Sequence, residues 1–364
     1  MRISILSAAQ SSHTYKWVKG IAEKQIDILL ISFGNEGKYN YSNLPRVTLK
    51  VYEVAGDKLN SSKSKLSALR YLPEIRKEVS AFSPDIIHAH YASSYGIVAS
   101  FLRRQNFIVS VWGSDVIEFP KRSFIHKMLL KYVFKKAKLV QCTSQNLKEE
   151  VALYTKTNSE IVPFGVNVNL FKDKNLNKDY SVITIGVVKG LEKIYGVDTL
   201  VNSLIKLRAR GYNNLRLVVV GDGSEMENYR NLVNSNNVSD FVKFTGYVRN
   251  DLVPDFYNKF DLAVIPSLRE SFGLSLLEAM SSEVPVIASR ISGFTEVAND
   301  DIITYFDPGS VEDLVQKIAE YIADKDSAEE KVALARAHVE QFYSAKKCLN
   351  QQLNIYKHIL GANG

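Results

Sequence analysis

Runs of aliphatic and β-branched residues alternate with stretches of helical apolar spacing along the whole chain. That alternation restricts the fold to parallel sheets covered by helices. In the first half the strand-like runs are Ile3–Ser7, Asp27–Phe33, Val47–Val54, Asp85–His90, Phe107–Trp112, Leu139–Thr143 and Glu160–Pro163. Helical stretches lie between them, notably Thr14–Glu23, Ser64–Ala81 and a basic segment described below. Residues Phe164 to Tyr180 (FGVNVNLFKDKNLNKDY) are polar, rich in Asn and Lys and without periodicity, which predicts a linker. The same pattern restarts at Val182–Val187, Leu215–Val220, Val242–Thr245, Asp261–Ile265 and Pro285–Ala288. Two α/β sandwiches of ordinary domain size are therefore expected. Ligands in such folds bind off the carboxyl ends of the strands, so a substrate cleft between the two is expected as well.

Composition narrows the partner. No apolar run approaches the roughly 18 residues that span a bilayer. The short apolar N-terminus, soon followed by Lys16 and Lys19, reads as a first strand rather than a signal peptide. Cys142 and Cys348 show no metal or redox spacing, which predicts a reduced cytoplasmic chain. A net charge of +7 and a pI near 9.0 call for an anionic partner. No zinc finger, basic zipper or RNP-like string supports nucleic acid. The charge is concentrated instead: Lys121, Arg122, Lys127, Lys131, Lys135, Lys136 and Lys138 share one acid-free stretch. Lys127, Lys131 and Lys135 fall on one helix face, beside a face carrying Ile125, Leu129 and Val133 with Phe124, Met128 and Tyr132 nearby. Such a helix either rests on an anionic membrane surface or packs its apolar face inside and leaves its lysines in water.

The segment Pro266–Glu296 (PSLRESFGLSLLEAMSSEVPVIASRISGFTE) carries the strongest chemical signal. A strand ends in Pro266-Ser267, a loop carries Glu270, and Phe272-Gly273-Leu274 opens a helix bearing Glu278. A glycine at a helix start lets backbone N–H groups approach a phosphate or a sugar, and the helix dipole favours negative charge there. The Glu-x7-Glu spacing alone carries little, since roughly one such pair arises by chance in a chain of this kind. In context one carboxylate is placed to meet a sugar and the other a ribose; the bland alternative is an ordinary βαβ unit with solvated glutamates.

The whole string resembles the donor-binding signature of family 4 retaining glycosyltransferases, which have the GT-B fold: two Rossmann-like parallel-sheet domains facing a cleft. The resemblance extends to Val162-Pro163-Phe164-Gly165-Val166-Asn167, like the family's Pro-Asn-Gly-Val-Asp hinge, and to Leu217–Gly223 and Phe244–Val248. It implies an acceptor-side domain over residues 1–165, a nucleotide-sugar domain over 166–343, and a last helix, 344–364, returning to the first domain. It also implies site residues. The family holds the donor diphosphate with an Arg and a Lys; the loop Gly186–Gly196 has no Arg, so Lys189 and Lys193 are the substitutes, although either is also readable as a surface charge. Glu270 would orient sugar hydroxyls, Glu278 would bind the ribose, and the Tyr247-Val248 backbone would face the base. Gly186, Phe272, Gly273 and Leu274 complete the expected donor site. Gly221-Asp222-Gly223 is a poor dinucleotide fingerprint and reads as a strand-end turn.

On the acceptor side, Ala8–His13 replaces the family's Gly-Gly turn, with Ser12 and His13 as cleft candidates. Val111–Asp115 lies where the family often has His-Gly-x-Asp, so Trp112 takes the place of a His that contacts the donor, leaving Asp115 as the polar residue of the loop. His88 and His90 share a face, as metal ligands or as core and cleft-lining rings; no metal site is expected. The resemblance implies a metal-independent retaining hexosyltransferase with no cofactor. Its donor would be a nucleotide-diphosphate sugar, UDP favoured over GDP, and its acceptor a lipid-linked or lipopolysaccharide glycan. It would work at the inner face of the cytoplasmic membrane in surface polysaccharide synthesis. Two other functions fit the same fold: a sugar-nucleotide-binding module that has lost turnover, and a sugar-nucleotide epimerase.

Overall fold

The computed structural model describes residues 1–35, 37, 39–54, 67–102, 106–174 and 181–361. The chain divides into two compact units, Met1–Pro163 with Cys348–Gly364, and Phe164–Lys347. The expected divisions, after 165 and after 343, lie within a few residues of these.

Unit 1 is built on β1 (Arg2–Leu6), β2 (Asp27–Phe33), β3 (Val47–Tyr52), β4 (Ile86–His90), β5 (Phe107–Val111), β6 (Leu139–Cys142) and β7 (Ser159–Ile161). All pair in parallel, in the order β3-β2-β1-β4-β5-β6-β7. Unit 2 repeats the scheme with β8 (Ile183–Val188), β9 (Leu215–Val220), β10 (Val242–Phe244), β11 (Leu262–Ile265), β12 (Val286–Ser289) and β13 (Thr304–Phe306), in the order β10-β9-β8-β11-β12-β13. Helices cover both faces, so the central strands are buried on both sides and read as continuous apolar runs; Leu262–Ile265 and Val286–Ser289 are buried at every position. In each unit the chain winds outward from its first strand, then returns to pair the fourth strand against the first. The reversal leaves a crevice between β1 and β4 and another between β8 and β11, at the carboxyl ends of the strands.

Two expectations are corrected, and one strand was not foreseen. The helix foreseen over Ser64–Ala81 is a 3-10 turn, Ala68–Tyr71, followed by an α-helix, Leu72–Phe82. Pro73 explains the break, since proline is tolerated in a first turn but not inside a helix; residues 64–66 lie outside the described residues. Residues 164–174 are not a free linker. Phe171 is fully buried in unit 2, its carbonyl accepts from Ser281 Oγ and from Arg336 Nη1, each at 2.7 Å, and Arg336 Nη2 reaches Val168 O at 3.0 Å. One guanidinium thus satisfies the carbonyls of a stretch with no sheet partner along most of its length. Residues 175–180 of the expected linker lie outside the described residues. The short strand Thr304–Phe306 was not foreseen; three residues carry too little pattern.

The last helix, Ala345–Ile359, buries Cys348, Gln352, Ile355, Tyr356 and Ile359 along one face. Its residues from Cys348 onward belong to unit 1, where Ile355, Tyr356 and Ile359 join the core of Ile3, Ile5, Ile28 and Ile86. Among the described residues no helix is long and apolar enough to cross a membrane.

Candidate active site

In unit 2 the crevice between β8 and β11 brings Lys189, from the loop after β8, to Glu270 of the signature string. Lys189 follows β8 directly, and its ammonium meets the Glu270 carboxylate in an ion pair. The same ammonium donates to Ser275 Oγ at 3.0 Å and stands 4.8 Å from the centre of the Tyr195 ring. Ser267 Oγ donates to Glu270 Oε1 at 3.3 Å. The Lys189 and Glu270 side chains are only 11% and 12% exposed. Burial, with the Glu270 charge next, pushes the Tyr195 hydroxyl up from its ordinary value, so it stays a neutral donor.

Backbone geometry holds the cluster together. The loop after β8 is hung on the turn after β9: Lys189 N–H donates to Val220 O and Leu191 N–H to Asp222 O, both at 2.9 Å. The Gly-Asp-Gly turn therefore shapes the lysine loop. Gly196 adopts φ +60°, and a Cβ there would lie 2.2 Å from Pro266 O, so the loops after β8 and β11 close only on glycine. Opposite them, a Cβ on Gly293 would lie 2.4 Å from Glu270 O.

The remaining donor-site candidates separate. Glu278, on the Leu274–Ser281 helix, is 6% exposed; its charge adds to burial in holding the Tyr257 hydroxyl well above its ordinary value. Gly273 starts that helix, but Leu274 N–H turns back to Phe272 O at 3.1 Å, so the N–H groups of Ser275 and Leu276 are the first-turn donors that the helix leaves unpaired. Phe272 is buried against Phe164 and Tyr343. Gly186 serves packing: a Cβ would sit 2.1 Å from the Phe260 ring. Tyr247 is exposed and Val248 half-buried, just after a bridge between Gly221 and Gly246. Lys193 is exposed, in a turn of the same loop as Lys189. Sequence reasoning missed Tyr195, Ser267 and Ser275; the two serines lie inside the signature string, but a hydroxyl carries no periodic signal.

In unit 1 the crevice between β1 and β4 holds three imidazoles and an indole. The His90 ring lies 4.6 Å from His88 and 5.1 Å from Trp112, and His13 lies 6.0 Å from Trp112. His88 spends both nitrogens inside the protein, at 2.7 Å from Tyr356 OH and 2.7 Å from Ser110 Oγ, so it cannot ligate a metal as placed. His90 Nδ1 is 3.0 Å from Ser7 Oγ. Burial lowers His90 to about 3, with His13 adding to it, and lowers His13 to about 4, helped by Lys16. Ser12, half-buried, opens the Ser12–Ala22 helix. Asp115 does not face solvent. It is fully buried, and its carboxylate accepts from Ala92, Trp112 and Gly113 N–H at 2.8, 3.1 and 2.9 Å; it fixes the loop that carries Trp112.

The basic segment is a helix, Phe124–Lys136, that buries Leu130, Val133 and Phe134. Its first turns stay outside: Phe124 is 75% exposed, Ile125 68% and Met128 49%. Lys121, Arg122, Lys127, Lys131 and Lys135 are exposed around them. A cavity of about 750 Å³ opens elsewhere in unit 2, lined by Arg290, Asp300, Lys317 and Tyr321 among others; no residue of the Lys189 cluster lines it. Among the described residues no three His, Cys, Asp or Glu converge as a metal-binding group.

Two family descriptions match the chain. Glycosyl transferases group 1 covers residues 169–338 and Glycosyl transferase 4-like covers residues 2–144. The chain belongs to the glycosyltransferases of this family 4 type and has the GT-B fold. It is 27% identical over 247 residues to an uncharacterized glycosyltransferase of Methanocaldococcus jannaschii, covering 66% of each chain. It is 26% identical over 292 residues to N-acetyl-alpha-D-glucosaminyl L-malate synthase of Bacillus anthracis, covering 76% of this chain and 75% of the other. Among solved structures, sucrose-phosphate synthase of Thermosynechococcus elongatus superposes with a TM-score of 0.84 at 19% identity over the whole of both chains. HepE of Anabaena, in complex with UDP and glucose, superposes with a TM-score of 0.78 at 18% identity, covering 98% of this chain and 99% of the other.

The depressed His90 value sets a pH dependence. Between pH 6.5 and about 3 the unfolded chain protonates this ring while the folded chain does not, so stability falls as the pH drops through that window. At pH 5 this single ring costs about 2 kcal/mol. Urea unfolding at pH 7.5 and pH 5 should show wild type losing about that much more stability than His90→Gln; equal losses would contradict the assignment.

Proposed function

We propose that this glycosyltransferase moves a hexosyl-type sugar, with retention of configuration, from a nucleotide-diphosphate sugar to a membrane-linked glycan during bacterial surface polysaccharide synthesis. The observation that carries the reading is the sequestered Lys189–Glu270 pair at the switch point of unit 2. A departing nucleoside diphosphate needs positive charge, and a sugar with oxocarbenium character needs its hydroxyls held. Lys189 supplies the first and Glu270 the second, with the exposed Lys193 and the first-turn N–H groups of the Leu274–Ser281 helix beside the phosphates. Glu278 takes the ribose, and the Tyr247-Val248 backbone faces the base. The scheme calls for no divalent metal, because lysine charge and the helix start fill that role. UDP is favoured as the nucleotide, in keeping with the UDP and glucose held by the similarly folded HepE.

A lipid-borne acceptor at the inner face of the cytoplasmic membrane fits the basic helix. Apolar side chains standing in water amid five cations match an interfacial anchor on anionic lipid. A 25% identical relative over 250 residues, covering 65% of this chain and 61% of its own length, is a putative teichuronic acid biosynthesis glycosyltransferase of Bacillus subtilis.

Thermal-shift measurements against UDP, GDP, ADP and their common sugars test the donor site. A ligand that binds only the folded chain raises its midpoint by mass action. UDP or UDP-sugar is expected to raise it, with the shift lost in Glu278→Ala; no shift with any nucleotide would overturn the reading. For the membrane, co-sedimentation with phosphatidylglycerol vesicles is expected at low salt and not with phosphatidylcholine. Phe124→Ser combined with Ile125→Ser should weaken it about tenfold or more. Equal sedimentation with both lipids, or none with either, would contradict the anchor.

A further inference from the structure

Tyr195 closes the loop that follows β8, and its ring is fixed from two sides. Its N–H donates to Glu192 O at 2.9 Å and the N–H of Gly196 to Lys193 O at 3.2 Å, which makes the tight turn Lys193–Tyr195. Leu268 N–H, from the loop after β11, donates to Ile194 O at 2.9 Å, so the turn is tied to its neighbour. Beneath the ring, a Cβ on Gly190 would come within 3.3 Å of Tyr195 Cε2; the bare backbone there lets the ring settle on the loop. The ring centre is thereby held 4.8 Å from the Lys189 ammonium, within the range over which an aromatic face attracts a cation. An ammonium has three hydrogens to place. The Glu270 carboxylate and Ser275 Oγ accept two of them, and among the described residues the Tyr195 face is the partner left for the third. Of the three the ring is the weakest, because it offers only a quadrupole where the others offer a full charge or a lone pair.

We propose that Tyr195 masks Lys189 in the free protein: its ring face holds the direction that a phosphate oxygen of the nucleotide takes, and the ligand binds by displacing the ammonium from it. The inference rests on the donor-site reading above and adds to it a residue that tunes the affinity. Glu270 and Ser275 fill the other two directions, so an anion reaches the ammonium with the ion pair intact only from the side of the ring. The exchange favours a phosphate, since a charged oxygen is a far stronger partner for an ammonium than a ring face, and more so where the side chains are nearly closed off from water. A neutral molecule offers no such return, and for it the mask stays on. Tyr195 is a positioning residue in this scheme. It keeps the ammonium oriented before the diphosphate arrives, and it lowers the affinity for the diphosphate by the strength of the contact given up.

The test replaces Tyr195 by phenylalanine and then by its mono-, di- and trifluorinated forms, which keep the shape of the ring and progressively drain negative charge from its face. UDP is titrated calorimetrically into each protein, with GDP as the second probe, and affinities are read relative to Tyr195→Phe. Nucleotide should bind progressively tighter along the series, by about fivefold at the trifluorinated ring, as the competing contact fades. The same series made in Lys189→Ala should be flat, because no ammonium is left to mask. A flat series with Lys189 present, or binding that weakens along it, overturns the mask. A trend of equal size in Lys189→Ala overturns it as well, because the ring would then act through packing alone. If neither UDP nor GDP binds the wild-type protein, the donor-site reading falls and this inference falls with it.

Discussion

The ion pair between Lys189 and Glu270 is the interaction on which the account of unit 2 turns. Both side chains are nearly closed off from water, and taking two charges out of water offsets much of their mutual attraction. A hydrophobic pair would hold the two loops at least as well. The pair is therefore poor as a fold-stabilising device and well suited to a site that must present charge to a ligand. Ser267, Ser275 and Tyr195 bind or cover the two charges without cancelling them.

The two units use the same topology for opposite electrostatics. In unit 2 the switch point collects cationic and anionic side chains. In unit 1 it collects imidazoles that burial keeps uncharged, and the one carboxylate of its loop is turned inward onto backbone amides. Parallel sheets supply the same crevice in both, and the loop residues decide what each crevice can bind. Gly196 and Gly293 have a shared role in unit 2, letting backbone close on Pro266 and Glu270 where a methyl group would collide.

The fold was legible in the sequence because parallel strands buried on both faces read as unbroken apolar runs; Asp27–Phe33 and Leu215–Val220 have the bounds that their composition indicated. Glu270 was singled out by the long, ordered string around it and Lys189 by the loop after β8, and the structure pairs the two side chains. What stayed hidden depends on contacts distant in sequence. Gly186 looks like a ligand-approach glycine until Phe260 is found against it. Asp115 looks like a cleft residue until its three amide partners are seen. Phe171 is one aromatic residue in a polar stretch, and only Arg336, far along the chain, shows why that stretch is packed. Exposure of Phe124 and Ile125 is likewise invisible to helical periodicity, which places them beside buried Val133.

Calorimetric titration of UDP into Lys189→Ala and Glu270→Ala tests the central claim most directly. Removing the lysine should weaken UDP about tenfold or more, because the diphosphate loses its closest cation. Removing the glutamate frees the lysine, so UDP should bind as well as to wild type or better, while the added affinity of a UDP-sugar over UDP disappears. UDP affinity unchanged in Lys189→Ala would contradict the account, and the pair would then be a feature of the fold alone.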